Sequence, residues 1–276
     1  MADPKPRGGR LAAAADEALA ADALIARADE LIAAGLLTEA GQELAAGERG
    51  FLKRRGAAAL ATLLDRYQKA GNHTRPWSLA VAFSAGALDG PPDGDARRWW
   101  ELAYPRAFRP LVEKYQAIGK NPDGYLYSIM RQESGFDPHV LSYADAQGLL
   151  QMIPPTTLRV VTELGIPYDP GRLYEPEFNI QTGSWYIGRL LAKFKGQVPF
   201  GAGAFNSGPR PVMKWLDQHG ERQLDELVEL VPYTQTRDYM KKVTENFARY
   251  RFLYQGEVYE QPLTVDKGYV RDQLTF

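Results

Sequence analysis

One carboxylate draws attention because the sequence places it on the apolar side of a helical pattern. The stretch GYLYSIMRQES, residues 124–134, puts three apolar residues on one helical face: Leu126, Ile129 and Met130. Glu133 continues that face at spacings of three and four residues. Burial disfavours the charged form of a carboxyl group and raises its pKa, as a general acid near neutral pH requires. A surface carboxylate in the last helical turn fits the same pattern, so this segment alone leaves both interpretations open.

Composition narrows the chemistry that the rest of the chain can do. The 276 residues are 45% hydrophobic and 24% charged, which is typical of a globular protein. The net charge of -1 gives no overall electrostatic signature of nucleic-acid binding. Cysteine is absent and the three histidines are far apart in sequence, which argues against a zinc site or a histidine-activated nucleophile.

The elements that must position Glu133 are predicted to be helices, in two parts. Residues 1–100 form an Ala-, Leu- and Glu-rich helical segment whose paired short helices could be the end of a superhelical array, although no repeat of fixed period is present. Residues 101–276 form a second, mainly α-helical domain. Its helices are expected near 106–118, 123–134, 155–165, 177–195, 199–206, 209–219 and 235–254. The C-terminal stretch GEVYEQPLTVDKGYVRDQLTF has the pattern of an extended or hairpin-like segment.

Four motifs in the second domain occur in a recognisable order. They are RQESGFDP, GLLQMIPPT, GAFNSGP and ELVPYTQTRDYM, and the helix FNIQTGSWYIGRLLAKF precedes the third. Together they resemble the soluble lytic transglycosylases, peptidoglycan-cleaving enzymes with a goose-type lysozyme fold. The resemblance covers roughly residues 100–254. It implies a lysozyme-like α-helical catalytic domain, with the preceding helices as the end of a helical superstructure.

The resemblance also implies roles for individual residues. Glu133 would be the single catalytic acid and base, and Ser134 its polar neighbour. Gln151 and Ile153 would line the cleft, and Asn206 would lie near the reacting sugar. The aromatic faces of Tyr233 and Tyr239 could stack on sugar rings, or these residues could pack the last long helix.

The implied reaction cleaves the β-1,4 bond between N-acetylmuramic acid and N-acetylglucosamine. Glu133 would protonate the glycosidic oxygen, and the acetamido group of the substrate would assist at C1. The resulting carboxylate would then deprotonate the C6 hydroxyl, which closes a 1,6-anhydro ring. This scheme needs no second carboxylate. The resemblance also implies that the reaction requires no metal and no cofactor. Asp137 lies beside Pro138, where Asp favours a turn, so we do not expect it to form an acid pair with Glu133.

Two positions depart from the family pattern. Phe205 stands where the family has tyrosine, so a possible hydroxyl donor to the catalytic carboxyl is missing. We therefore expect Glu133 to be more inclined to stay protonated and less firmly oriented. Gln235 stands where glutamate is common, which removes a possible partner of Arg237 or a contact to substrate.

Two alternatives follow from these departures and from the scaffold itself. A muramidase would use water as the nucleophile, and a non-catalytic envelope scaffold would bind glycan strands without cleaving them. If the family assignment holds, the substrate and the protein lie in the periplasm or cell envelope. No run of residues is long and apolar enough to span a membrane, and the N-terminus lacks an export signal. A processed or truncated chain would explain this, and the N-terminal helices could dock an envelope partner.

Overall fold

A computed structural model describes residues 17–56, 59–84 and 86–272. These residues contain fourteen α-helices and no β-strand, so the prediction of a mainly α fold is confirmed. None of the helices in these ranges is long and apolar enough to cross a membrane. The chain divides into two compact units between Pro105 and Arg106, whereas the sequence predicted a boundary after residue 100.

The first unit contains six helices, each packed on its neighbour along the chain from α2 to α6. The helices are α1 (Glu17–Ala20), α2 (Ala23–Ala33), α3 (Leu37–Arg55), α4 (Leu60–Lys69), α5 (Thr74–Phe83) and α6 (Ala96–Ala103). Apolar side chains of α2, α3 and α4, among them Ile25, Phe51 and Leu63, are fully buried in one core cluster. Successive packing of short helices agrees with the predicted helical segment.

The second unit contains the remaining eight helices. They are α7 (Arg109–Tyr115), α8 (Tyr125–Glu133), α9 (Pro154–Leu164), α10 (Pro176–Lys193), α11 (Val198–Ser207), α12 (Pro209–His219), α13 (Leu224–Glu229) and α14 (Thr234–Gln255). The helix α14 packs on α8 and α11, and α10 packs on α7, α9 and α11. Two of the breaks seen in the sequence mark where helices begin. Proline occupies the first turn of α9, and Gly208 adopts a φ of 84° between α11 and α12.

In the C-terminal part the structure adds one helix, and of the two forms expected for the tail, extended or hairpin-like, it has the extended one. The short helix α13 was not predicted, and residues 256–272 form no strand or hairpin in the described part of the chain. Instead this tail runs as irregular extended chain along α10 and the turn before α11. The amide of Val270 donates to the carbonyl of Lys193 at 2.9 Å, and the Gln197 side chain donates to the carbonyl of Asp266 at 2.9 Å. The alternating pattern of the tail therefore reflects contacts with helices rather than pairing with another strand.

Candidate active site

Glu133 is the last residue of α8, and the helix buries the face that leads to it. Leu126, Ile129 and Met130 are at most 2% exposed, so the predicted apolar face is confirmed. Glu133 itself is largely enclosed but reaches the surface through a cleft. Desolvation, partly offset by a hydrogen bond from Tyr239, raises the pKa of its carboxyl group to about 7. Near neutral pH the group can therefore exist in either protonation state.

The hydroxyl of Tyr239 holds the carboxyl group of Glu133. Tyr239 lies on α14 and donates its hydroxyl hydrogen to Oε1 of Glu133, with 2.5 Å between the two oxygens. Its ring is only 5% exposed. Burial, together with the nearby carboxylate, keeps the pKa of Tyr239 well above its ordinary value, so the hydroxyl remains a donor. Such a buried ring offers no face to a sugar, so of the two interpretations left open for Tyr239 the burial favours packing of the last long helix over stacking on substrate.

Ser134 supports the site from behind and does not line the cleft. Its hydroxyl donates to the carbonyl of Leu149 at 2.8 Å and accepts from the amide of Phe136 at 3.1 Å. These bonds tie the end of α8 to the segment 147–152. The residue expected as the polar neighbour of Glu133 therefore bonds to backbone groups in this structure.

The segment 147–152 is fixed from the other side by Asn179 of α10. The buried Asn179 amide accepts from the amide of Leu150 at 2.8 Å and donates to the carbonyls of Gln147 and Leu173 at 2.9 and 2.8 Å. Gln151, at a φ of 45°, donates its side-chain amide to the carbonyls of Val140 and Gly148. Its nitrogen is thus engaged by backbone, which leaves its oxygen as the atom that can face a ligand.

The cleft in front of Glu133 has a volume of about 680 Å³. Its wall brings together the predicted residues Glu133, Gln151, Ile153, Phe205, Asn206 and Gln235. An adjoining part of the same cleft adds Tyr239, Asp238 and Lys242. Asn206 accepts a hydrogen bond from the hydroxyl of Thr236 at 2.8 Å, which links α11 to α14 beside Glu133. Helices distant in sequence therefore converge on one carboxyl group.

The two departures from the family pattern have local explanations. The ring of Phe205 packs near that of Tyr186, with centroids 5.9 Å apart. Since Tyr239 supplies a donor to Glu133, the loss of a hydroxyl at position 205 does not leave the carboxyl group without a partner. Gln235 is exposed on the cleft wall, whereas Arg237 donates to the carbonyl of Val231 at 3.2 Å. Arg237 is thus held without a carboxylate at position 235.

Sequence reasoning missed several cleft residues. Tyr143 lines the cleft and is 98% exposed, the largest exposure among the exposed hydrophobic residues. It stands in a turn tightened by Ser142, whose hydroxyl accepts from the amides of Ala144 and Ala146 at 3.2 and 3.0 Å. Tyr186 and Thr236 also line the wall. The sequence around Tyr143, Tyr186 and Thr236 has no periodic pattern that would distinguish a residue lining a cleft from one in the core or in a loop.

The remaining carboxylates near Glu133 differ in position. Asp137 accepts the amide of His139 at 2.8 Å in a turn and does not contribute to the cleft lining. Asp238 is exposed and lies on the cleft wall. Within the described ranges no group of three or more His, Cys, Asp or Glu side chains is placed to hold a metal ion. Glu133 is therefore the enclosed acid of the cleft, and Asp238 is the solvated one.

Residues 110–228 match the family model of the transglycosylase SLT domain. This part of the chain is therefore similar to the transglycosylase SLT domain. The matched range includes Glu133, Gln151 and Asn206, while Gln235 and Tyr239 lie beyond it on α14. The resemblance that was based on the four motifs is thereby confirmed.

Relatives of the chain include lytic transglycosylases of two named kinds. The soluble lytic murein transglycosylase of Escherichia coli K12 is 32% identical over 174 residues, which cover 56% of this chain and 27% of the relative. The membrane-bound lytic murein transglycosylase C of Actinobacillus pleuropneumoniae serotype 5b is 31% identical over 172 residues, which cover 54% of this chain and 46% of the relative. The chain thus spans about a quarter of the length of the soluble relative.

Solved structures show the same fold. The crystal structure of the 70 kDa soluble lytic transglycosylase from Escherichia coli superposes with a TM-score of 0.67 and 31% identity, covering 91% of this chain and 38% of that protein. A complex of the 70 kDa soluble lytic transglycosylase with bulgecin A gives a TM-score of 0.68 at 29% identity, covering 95% of this chain and 39% of that one. The part of the chain that the structure describes therefore has the all-helical lytic transglycosylase fold that was predicted.

Proposed function

We propose that the protein is a peptidoglycan lytic transglycosylase that cleaves the N-acetylmuramic acid-β-1,4-N-acetylglucosamine bond and leaves a 1,6-anhydro end. The observation that carries this proposal is the enclosed carboxyl group of Glu133, whose pKa is raised to about 7 at the wall of an open cleft. A group that both donates and accepts a proton works best when its pKa lies near the working pH. The lytic transglycosylase relatives support the same reaction class.

In the proposed first step, protonated Glu133 donates to the glycosidic oxygen as the C1–O bond breaks. The acetamido oxygen of the N-acetylmuramic acid residue forms a bond to C1, as in substrate-assisted glycosidases. The proton has left Glu133, which is now a carboxylate. The hydroxyl of Tyr239, 2.5 Å from Oε1, stabilises that charged state by a charge-assisted hydrogen bond.

In the second step the carboxylate of Glu133 removes the proton from the C6 hydroxyl of the same sugar. The C6 oxygen attacks C1, the bond from the acetamido oxygen breaks, and the 1,6-anhydro ring closes. Glu133 ends the cycle protonated, so no net proton is consumed. Asn206 and Gln151 on the cleft wall provide polar groups that can orient the sugar.

The relatives' names refer to murein, and we propose that this protein acts on it in the periplasm or cell envelope. The main part of the cleft suits a largely uncharged glycan, because its lining combines aromatic, hydroxyl and amide side chains with one acid, Glu133. Aromatic rings can pack on the apolar faces of sugars while the polar groups bind hydroxyls.

Mass spectrometry of the soluble products from purified peptidoglycan tests this proposal. Products lighter by one water than ordinary muropeptides are expected, because ring closure replaces hydrolysis. Products with reducing ends would identify a muramidase instead. Binding to peptidoglycan without any release of products would identify a glycan-binding scaffold, and either result would overturn the proposal.

A further inference from the structure

Thr236 uses its side-chain hydroxyl differently from four other threonines that lie in helices. Those four donate to the backbone carbonyl four residues earlier in the chain: Thr157, Thr162, Thr182 and Thr244. Thr236 lies in the first turn of α14, and Pro232, four positions earlier, precedes that helix, so no helical carbonyl lies behind its side chain. Its hydroxyl donates instead to Oδ1 of Asn206 on α11, at 2.8 Å.

This hydrogen bond determines which end of the Asn206 carboxamide is engaged by the protein. Thr236 is only 3% exposed, whereas Asn206 is half-buried and lines the cleft in front of Glu133. A carboxamide has an oxygen that accepts and a nitrogen that donates. Within the part of the chain that the structure describes, the Asn206 side chain has no other hydrogen bond. Its oxygen is therefore held by Thr236, and its Nδ2 is the group that can bind a ligand.

Two carboxamides of the cleft wall are thus held in opposite senses. Gln151 donates its Nε2 to the carbonyls of Val140 and Gly148 at 3.0 and 2.9 Å, which leaves its oxygen for a ligand. Asn206 has its oxygen engaged and keeps its nitrogen for a ligand. The carbonyl, ring and glycosidic oxygens of a glycan can accept a hydrogen bond but cannot donate one. Asn206 therefore offers such an oxygen a donor in a fixed orientation.

We propose that Thr236 is a positioning residue, which orients the carboxamide of Asn206 so that Nδ2 donates to an acceptor oxygen of the bound glycan. This inference rests on the proposed function. Without the Thr236 hydroxyl, half a turn of the Asn206 carboxamide would place its oxygen where the nitrogen had been. Two acceptors would then face each other, and the hydrogen bond from Asn206 to the glycan would be lost in that fraction of the molecules.

Thr236→Val tests this proposal because it replaces the hydroxyl with a methyl group of similar size. The value of kcat/KM for release of anhydro products should fall about threefold to tenfold, the change that corresponds to one neutral hydrogen bond. Thr236→Ser keeps the hydroxyl and should stay close to the wild type. Thr244→Val is the matched control on the same helix, since the Thr244 hydroxyl donates to the carbonyl of Met240 and does not contribute to the cleft lining.

A double-mutant cycle separates positioning from a merely structural role. Because Thr236 acts through Asn206, Thr236→Val should cause no further loss of kcat/KM when Asn206→Ala is already present. An equal loss in both backgrounds would overturn the proposal. An unchanged kcat/KM in Thr236→Val would overturn it as well, and so would equal losses in Thr236→Val and Thr236→Ser.

Nitrogen-15 relaxation of the Asn206 side-chain amide measures the orientation without any substrate. The signal is assigned by its absence in Asn206→Ala. Its order parameter should fall in Thr236→Val and be retained in Thr236→Ser, because only the serine keeps the donor to Oδ1. The same order parameter in the wild type and Thr236→Val would overturn the proposal. If the wild type releases no anhydro products while the order parameter falls as expected, the proposed reaction fails and the orientation of Asn206 by Thr236 stands.

Discussion

At the scale of single residues, the hydrogen bond between Tyr239 and Glu133 should set the pH range of activity. The hydroxyl stabilises the carboxylate and so lowers the pKa of Glu133, whereas burial raises it; the net pKa is about 7. Activity that needs the protonated acid is present below this pKa and is lost as the pH rises through it. The value near 7 predicts an alkaline limb of kcat/KM in that range.

Tyr239→Phe removes the donor and should move this limb to higher pH. We expect a shift of about 0.5–1 pH unit, since one pKa unit corresponds to about 1.4 kcal/mol and a hydrogen bond to a charged group is of that order. The pH profile of kcat/KM from pH 5 to 9 measures it. Tyr174→Phe, which removes a tyrosine hydroxyl outside the cleft lining, should leave the limb in place. A limb that stays or moves to lower pH in Tyr239→Phe contradicts this account.

Tyr143 is the exposed ring at the cleft, and we predict that it packs on the glycan. Tyr143→Ala should raise KM by about threefold to tenfold, the range that corresponds to one aromatic contact of about 0.5–1.5 kcal/mol. Because the side chain is 98% exposed, the melting temperature should not change. Tyr143→Phe retains the ring and serves as the matched control in the same steady-state assay. Equal KM values for the wild type and the alanine variant would show that the ring does not contact substrate.

At the scale of elements, Asn179 joins α10 to the segment that carries Gln151. Asn179→Ala removes one acceptor and two donors from buried backbone groups of Leu150, Gln147 and Leu173. We expect a loss of about 3 kcal/mol in the free energy of unfolding, because each buried group left unsatisfied costs about 1–3 kcal/mol and relaxation recovers part of this. Urea unfolding measures the loss, and activity should fall with it because the cleft wall loosens.

Hydrogen exchange separates this local effect from a general one. The amide of Leu150 should lose protection in Asn179→Ala, since its acceptor is gone. Gln181→Ala, two residues further along α10, is the control and should change the unfolding free energy by less than about 0.5 kcal/mol. Unchanged protection at residues 147–152 would show that Asn179 does not hold this segment.

Elements also show where sequence reasoning succeeds and where it stops. The apolar face of α8 could be predicted because three buried residues share a helical spacing with Glu133. The role of Ser134 could not, because its partner, the carbonyl of Leu149, is fifteen residues away in sequence and adjacent only in the folded chain. Tyr239 was selected by its motif, but its burial depends on how α14 packs on α8 and α11.

At the scale of the whole C-terminal unit, the tail covers a buried cation. The side chain of Lys193 is 1% exposed, and its ammonium donates to Asp272 at 2.5 Å and to the carbonyl of Val270 at 2.8 Å. Asp272→Ala leaves this charge enclosed without its carboxylate partner. We expect the unit to lose about 2–4 kcal/mol of stability, because breaking a buried pair by removing one partner is strongly destabilising.

Thermal and urea unfolding of the full chain measures this loss. Glu221→Ala is the control, since it removes the ion pair between Glu221 and tail residue Lys267 in which both side chains are exposed. Exposed pairs contribute at most about 1 kcal/mol, so the control should unfold much like the wild type. Similar losses for both variants would contradict a special role of the buried pair. The sequence pattern of the tail left both an extended segment and a hairpin open, because alternation does not reveal whether a helix or a strand is the partner.

The central claim is that one enclosed carboxyl group, Glu133, performs both proton transfers. The most direct test compares the release of anhydro products from peptidoglycan by the wild type, Glu133→Gln and Asp238→Asn. Asp137→Asn is the control outside the cleft. The account predicts that Glu133→Gln lowers the rate by about 100- to 10,000-fold, the usual contribution of a positioned acid and base, while Asp238→Asn loses far less. Substantial activity in Glu133→Gln, or an equal loss in Asp238→Asn, would contradict it.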